Sequence, residues 1–227
     1  MTLQKPFIIA IDGTAASGKG TLARRLAAEY DFAYLDTGKL YRLVGWNVLQ
    51  QGGNASDPKD AARVVVALKD SITPTMLDDE NLLCDAAGVA ASQVGAVPEV
   101  RAALLDLQRN FATPPPEGKR GAVLDGRDIG TVICPDAPVK FYVTADVETR
   151  AQRRFKELQS RGVPKKYDDI LRDLKERDER DSNRADAPLK QAPDAFFIDS
   201  TQMTIADVMN AAMGWLKSFS LPCHTGR

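Results

Sequence analysis

Five short apolar runs with strand character punctuate the chain, at 6–11, 32–35, 121–125, 139–145 and 195–199. Between them, apolar residues recur at helical spacing over 37–51, 97–110, 146–161, 167–184 and 204–219. Alternation of this kind predicts a parallel sheet covered by helices. Asp57-Pro58 predicts an N-cap followed by proline at the first helical position, opening a helix to about Asp70. Thr204 with Asp207 predicts a capping box. The segment from Ile72 to Val89 breaks the alternation. Its two apolar stretches flank Asp78-Asp79-Glu80-Asn81 and predict a small hairpin, inserted outside the parallel sheet. Thr113 to Gly118, with three consecutive prolines, predicts a rigid loop before the strand at Gly121. The tail after Leu221 is expected to be disordered.

A length of 227 residues suits one α/β domain with insertions, or a domain plus a small one, and can bury a sizeable core without staples. The net charge of −1 gives no global field toward nucleic acid or an anionic membrane. No basic face with interleaved aromatics appears, which disfavours a nucleic-acid module. Charge is nevertheless uneven: Arg150 to Arg184 holds twelve basic and eight acidic residues, so its arginines are candidates for phosphate. Three cysteines, Cys84, Cys134 and Cys223, have no paired spacing, and the only histidine is His224. Disulfides and structural zinc are therefore not expected, and a reducing compartment fits. No run approaches a membrane span, so the expectation is a soluble, cytoplasmic chain.

The stretch Gly13-Thr14-Ala15-Ala16-Ser17-Gly18-Lys19-Gly20-Thr21 carries the chemistry. It follows the run Phe7–Ile11 and precedes a helical pattern at Leu22, Leu26 and Tyr30. Strand, glycine-rich loop and helix together make a phosphate-binding loop rather than a flexible turn with a surface lysine. Glycines let backbone N–H groups turn inward, the helix N-terminus adds its dipole, and Lys19 places an ammonium on the outer phosphates. The residue after Lys19 is Gly20, where many such loops carry the magnesium-binding hydroxyl. That hydroxyl comes one residue later, at Thr21.

Four further stretches admit two readings each. Asp36 to Arg42 is an anion site at a strand's carboxyl end, or an ordinary helix N-cap with Arg42 solvated. Asp125 to Thr131 follows a strand. Its Asp125 stands where phosphate-loop enzymes hold magnesium or its water, unless the stretch is a tight turn with an internal ion pair. Arg177, Asp181 and Arg184 at i, i+4, i+7 put two arginines and a carboxylate on one helical face, to grip a phosphate and a sugar hydroxyl or to knit a solvated helix. Ser92 to Arg101 joins the hairpin to a helix and is either a polar site or a plain loop.

In this order and spacing, the loop at 13–21, the Asp36–Arg42 stretch, ASQVGAVPEVR at 91–101, DGRDIGTVICPDAPVKFYV at 125–143 and KERDERDSNR at 175–184 resemble the bacterial cytidylate kinases, a branch of the nucleoside monophosphate kinases. The resemblance implies an α/β P-loop kinase fold: a five-stranded parallel sheet flanked by helices, with a monophosphate-binding insertion and a short lid. The core would span about 1–57, 94–152 and 169–220, the insertion 58–93 and the lid 153–168. It further implies transfer of the ATP γ-phosphoryl to CMP or dCMP with Mg²⁺, by a monomer. Lys19, Arg127, Arg184 and lid arginines such as Arg153 would supply charge to the transferring group. Thr37, Arg42, Arg127 and Arg184 would surround the monophosphate, Ser92, Arg101 and Asp128 would read the cytosine, and Arg177 and Asp181 would meet the sugar. Thr21 and Asp125 are the candidate magnesium ligands, directly or through water. The alternatives are another small-molecule kinase on the same scaffold, for UMP, AMP or a non-nucleotide acceptor, and a regulatory phosphate-loop switch that hydrolyses nucleotide. A regulatory GTPase is disfavoured, since no Asn-Lys-x-Asp stretch occurs.

Overall fold

A computed structural model describes residues 5–219. At its centre lies β1 (Phe7–Gly13), hydrogen-bonded in parallel to β3 (Gly121–Gly126) on one side and β4 (Val139–Thr144) on the other. β2 (Ala33–Asp36) extends the sheet beyond β3, and β5 (Phe196–Asp199) extends it beyond β4. The order is β2-β3-β1-β4-β5, all parallel. Ile9, Ala10 and Ile11 have no exposed surface, as expected of a central strand covered on both faces. The register aligns Asp12 with Gly126 and Asp36 with Asp125, so the acidic ends of three strands meet at one edge.

Helices cover both faces. On one, α2 (Thr37–Gln50), α3 (Pro58–Leu68) and α6 (Pro98–Ala112) bury Leu40, Val44, Val64, Val65, Val100 and Leu104 against Ala10, Leu35 and Leu124. On the other, α1 (Lys19–Tyr30) and α9 (Ile205–Leu216) bury Leu22, Leu26, Ala212 and Leu216 against Ile9, Ile11, Val123 and Phe141. A smaller cluster, Ala151, Leu158, Ile170 and Leu174, joins α7 (Val147–Ser160) to α8 (Tyr167–Asn183) and reaches Ala15 in the loop after β1. Predicted caps are observed: Asp57 accepts from Lys59 N at 2.8 Å, and Thr204 and Asp207 close a reciprocal box.

The expected hairpin over 72–89 is not formed. The segment folds as α4 (Pro74–Leu77), a 3₁₀ turn at Glu80–Leu83 and α5 (Asp85–Val94). Side chains at each start explain this: Thr73 Oγ1 accepts from Met76 N, Asp79 from Asn81 N, and Cys84 Sγ from Ala87 N. Ala87, Ala90, Ala91 and Val94 then follow i, i+3, i+4, i+7 and are buried, and alanine is the strongest helix former. Ser92 consequently sits within α5 rather than in a loop. The expected disordered tail, with Cys223 and His224, lies outside the described residues. Among the described residues no helix is long and apolar enough to cross a membrane.

Candidate active site

The loop after β1 is shaped by close approach. Gly13 lies at φ 152°, and a Cβ there would stand 1.9 Å from the Val143 carbonyl oxygen, so only glycine lets β1 leave the sheet at this point. Six residues later α1 begins at Lys19. Lys19 Nζ stands 3.5 Å from Asp125 Oδ1, and Tyr34 donates to Asp125 Oδ2 at 3.0 Å. Burial, reinforced by Arg127, pushes the Lys19 ammonium below its usual range, while burial raises the Asp125 carboxyl against the pull of Lys19. The glycine at position 20 has a packing reason as well: a Cβ there would lie 3.1 Å from Asp125 Oδ2.

Two cavities flank Lys19. The inner one, of about 160 Å³, is enclosed by Ala15 and Ala16 of the loop, the start of α2, α5, the 125–128 turn and the end of α8. Its walls carry Lys19, Arg42, Arg101, Arg127, Arg177 and Arg184 against Asp36, Asp125, Asp128 and Asp181. Six cations to four carboxylates leave a surplus of two positive charges, which matches a phosphate monoester dianion. These groups also use one another as partners. Arg127 Nε donates to Asp181 Oδ2 at 2.9 Å, and Arg177 Nε stands 3.8 Å from the same oxygen. Burial alone would raise Asp181, yet Arg127 and Arg177 hold it below the usual carboxylate range. Arg177 is pushed down to about 9 by burial and by the Arg127 guanidinium beside it.

The predicted residues gather here, with adjustments. Arg177 and Asp181 share α8, but Arg184 does not continue their face: it caps the helix with φ −62°, ψ 142°. Leaving the helix lets its Nη2 reach 3.5 Å from Asp128 Oδ1, while Nε donates to Ala187 O at 2.6 Å. Arg101 and Asp128 are both buried and form a direct ion pair. Ser92 Oγ donates to Asp181 Oδ1 at 3.2 Å and accepts from Arg180 Nε. Thr37 donates its hydroxyl proton to Asp125 O at 2.8 Å. Arg42 Nη1 donates to the carbonyls of Leu82 and Cys84, fastening α2 to the start of α5. Ser17 Oγ, Arg177 Nε and Arg184 Nη2 are buried without a hydrogen-bond partner among the described residues.

The outer cavity, about 520 Å³, opens along Ser17, Gly18, Gly20 and Thr21 toward Arg153, Arg154, Ser200, Met203 and Ile205. Arg153 is fixed there, donating to Ser200 Oγ at 2.9 Å, Ser200 O at 2.6 Å and Ser17 O at 3.5 Å. The 153–168 segment, expected as a lid, comprises the second half of α7, the connection 161–166 and the start of α8. Thr21 borders the outer cavity and Asp125 the inner one, with Lys19 on both, so the two candidate magnesium ligands do not share one chamber. Among the described residues no group of three acidic, histidine or cysteine side chains forms a metal cage.

Several participants carried no separate signal in the sequence. Tyr41 and Asp36 line the inner cavity from within a stretch singled out only as a whole. Tyr34, Asp12 and Asp186 act through contacts that are distant in sequence, and no local pattern announces them.

A family model described as cytidylate kinase matches residues 9–218. A protein of Rhodospirillum rubrum named cytidylate kinase is 60% identical over 206 residues, covering 91% of this chain and 95% of its own length. One from Paramagnetospirillum magneticum with the same name is 54% identical over 211 residues, covering 93% and 98%. An uncharacterized protein from Eubacterium ventriosum shares the fold at TM-score 0.54 and 14% identity, over 94% of this chain and 99% of its own. With the model spanning both cavities and relatives this similar over nearly their full lengths, the chain belongs to the cytidylate kinase family.

Proposed function

We propose that the chain transfers the γ-phosphoryl group of ATP, bound as its Mg²⁺ complex, to CMP or dCMP, giving ADP and CDP or dCDP. The observation that carries this is the surplus of two positive charges around the inner cavity, with Arg177 Nε and Arg184 Nη2 buried and lacking a hydrogen-bond partner among the described residues. A monophosphate dianion supplies both the charge and the acceptors. Arg42, Arg127, Arg184 and Thr37 hold that phosphate, and Asp181 with Arg177 meets the ribose. Asp128 accepts from the cytosine amino group, while Arg101 and Ser92 donate to the ring acceptors. Uracil presents a carbonyl where Asp128 needs a donor, so it is rejected.

The donor phosphates lie along the loop Gly13–Thr21, whose residues Ala16–Thr21 line the outer cavity. Lys19 borders both cavities, so its ammonium follows the group that moves between them. The attacking atom is a phosphate oxygen of CMP, and the leaving group is ADP; no side chain need act as nucleophile. Arg127, Arg184 and Arg153 spread charge over the transferring group, with water excluded as the arms close. In this reading 58–93 is the monophosphate-binding insertion, 153–168 the lid and the remainder the core. Cytoplasmic location and a monomeric working state belong to the same proposal. ADP release measured with ATP and a panel of monophosphates tests it. CMP and dCMP should support turnover and UMP and AMP should do so poorly; ADP release independent of the acceptor would reject it.

A further inference from the structure

Arg101 is held by three residues from three parts of the chain. Its Nη2 bonds Asp128 Oδ2, its Nε donates to Asp186 Oδ2 at 3.1 Å, and its Nη1 donates to Tyr41 Oη at 3.4 Å. The guanidinium carbon lies 6.0 Å from the Tyr41 ring centroid. Asp186 stands outside the inner cavity with its side chain 51% exposed, whereas Arg101 is 5% exposed. It belongs to a turn beyond α8 that is itself fastened: Leu189 N donates to Asp181 O at 2.7 Å, and Arg184 Nε to Ala187 O.

The Nε and Nη2 hydrogens of a guanidinium project in parallel from one edge and fit both oxygens of a single carboxylate. In this protein that edge is divided between two carboxylates. Asp128 therefore gives one oxygen to Arg101, and among the described residues its Oδ1 faces only Arg184 Nη2 at 3.5 Å. We propose that Asp186 is a positioning residue for base recognition: by occupying Arg101 Nε it prevents Arg101 from closing on both Asp128 oxygens. The oxygen so spared is the one that accepts from an exocyclic amino group. Without Asp186, the Nε–H becomes a buried donor lacking a partner, and the nearest remedy is a two-pronged pair with Asp128. The amino-reading acceptor is then consumed inside the protein.

This inference rests on the reading of Asp128 as the cytosine amino acceptor, and the experiment separates the two. Steady-state kinetics with saturating ATP and varied CMP or UMP compares the parent with Asp186→Ala and Asp186→Asn. Asp186→Ala should raise KM for CMP about fivefold, a change in the range of a partly exposed ion pair, with kcat nearly unchanged. The CMP-to-UMP ratio of kcat/KM should shrink by a similar factor. Asp186→Asn keeps an oxygen for Nε–H and should restore most of the ratio. Because the side chain is half exposed, both variants should melt like the parent. An unchanged ratio in Asp186→Ala overturns the proposal, as does a loss confined to kcat or an Asn variant as impaired as the Ala variant. A parent that does not prefer CMP to UMP overturns the base reading and this inference with it.

Discussion

In the proposed reaction, Lys19 concentrates the chemistry in one side chain. It is largely but not fully covered, its ammonium is disfavoured by desolvation and by Arg127, and its one ion pair among the described residues is the 3.5 Å approach to Asp125. A charge kept under such conditions suits a group whose negative charge shifts as it is transferred. Lys19→Met should lower kcat by about a hundredfold or more, since the charge acts where transition-state charge develops. The fold should persist, because Lys19 opens a helix rather than filling one of the apolar clusters. Steady-state kinetics and a melting curve decide the matter: near-normal turnover with ATP still bound would remove Lys19 from the reaction.

At the scale of elements, two arms meet over the loop that joins β1 to α1. The start of α5 carries Asp85, which accepts from Arg154 of α7 at 2.9 Å and from Lys165 of the α7–α8 connection at 2.7 Å. Lys165 also holds Asp173 on α8 at 2.7 Å. Burial alone would raise the Asp85 carboxyl, yet Lys165 and Arg154 hold it below the usual carboxylate range. Asp85 thus ties the two arms together, as Ser92 of α5 does through Asp181 and Arg180 of α8; the α7–α8 arm packs on its own small apolar cluster and α5 on the main one beside the sheet. Asp85→Ala should free them. Amide hydrogen exchange should quicken over 85–94 and 161–166 while β1 and β3 keep the parent's protection. Equal exchange in the two proteins would show that Asp85 does not set the arms' positions.

For the whole molecule, the edge where β1, β2 and β3 end is also where pH enters. Asp12 is buried and accepts from Ile129 N at 2.7 Å and Gly130 N at 2.8 Å, fixing the turn that aims Arg127 and Asp128. Burial raises it from 3.8 to about 7, outweighing the two backbone donors. A carboxyl with a higher folded than unfolded pKa favours folding fully below about 3.8, and that contribution is lost as pH rises through about 7. Asp181, held below its usual value by Arg127 and Arg177, acts in the opposite sense and loses its contribution only at more acid pH. Asp12→Asn should therefore flatten the decline of the melting temperature between pH 4 and 7, whatever its absolute level. Parallel curves for parent and variant would assign the pH dependence to other groups.

Local pattern sufficed wherever the signal was local. The strand–loop–helix at 7–30 could be read from period, glycine placement and one lysine, and the caps at Asp57 and Thr204 from residue types a few positions apart. The alternation of runs gave a parallel sheet, because strands covered on both faces must be continuously apolar. The 72–94 segment misled because its apolar runs suit either period, and the choice for helix was made by side-chain caps and by burial of alanines against α2 and the sheet. The site depended still more on the fold. Arg101, Asp128 and Asp186 are separated by 27 and 85 residues along the chain from Arg101, and only the convergence of α6, the β3 turn and the segment after α8 brings them together. Which oxygen of Asp128 stays available is a matter of ångströms between those elements. The sequence by itself determined which charges this protein owns; packing decided which of them neutralise each other and which are left facing a substrate.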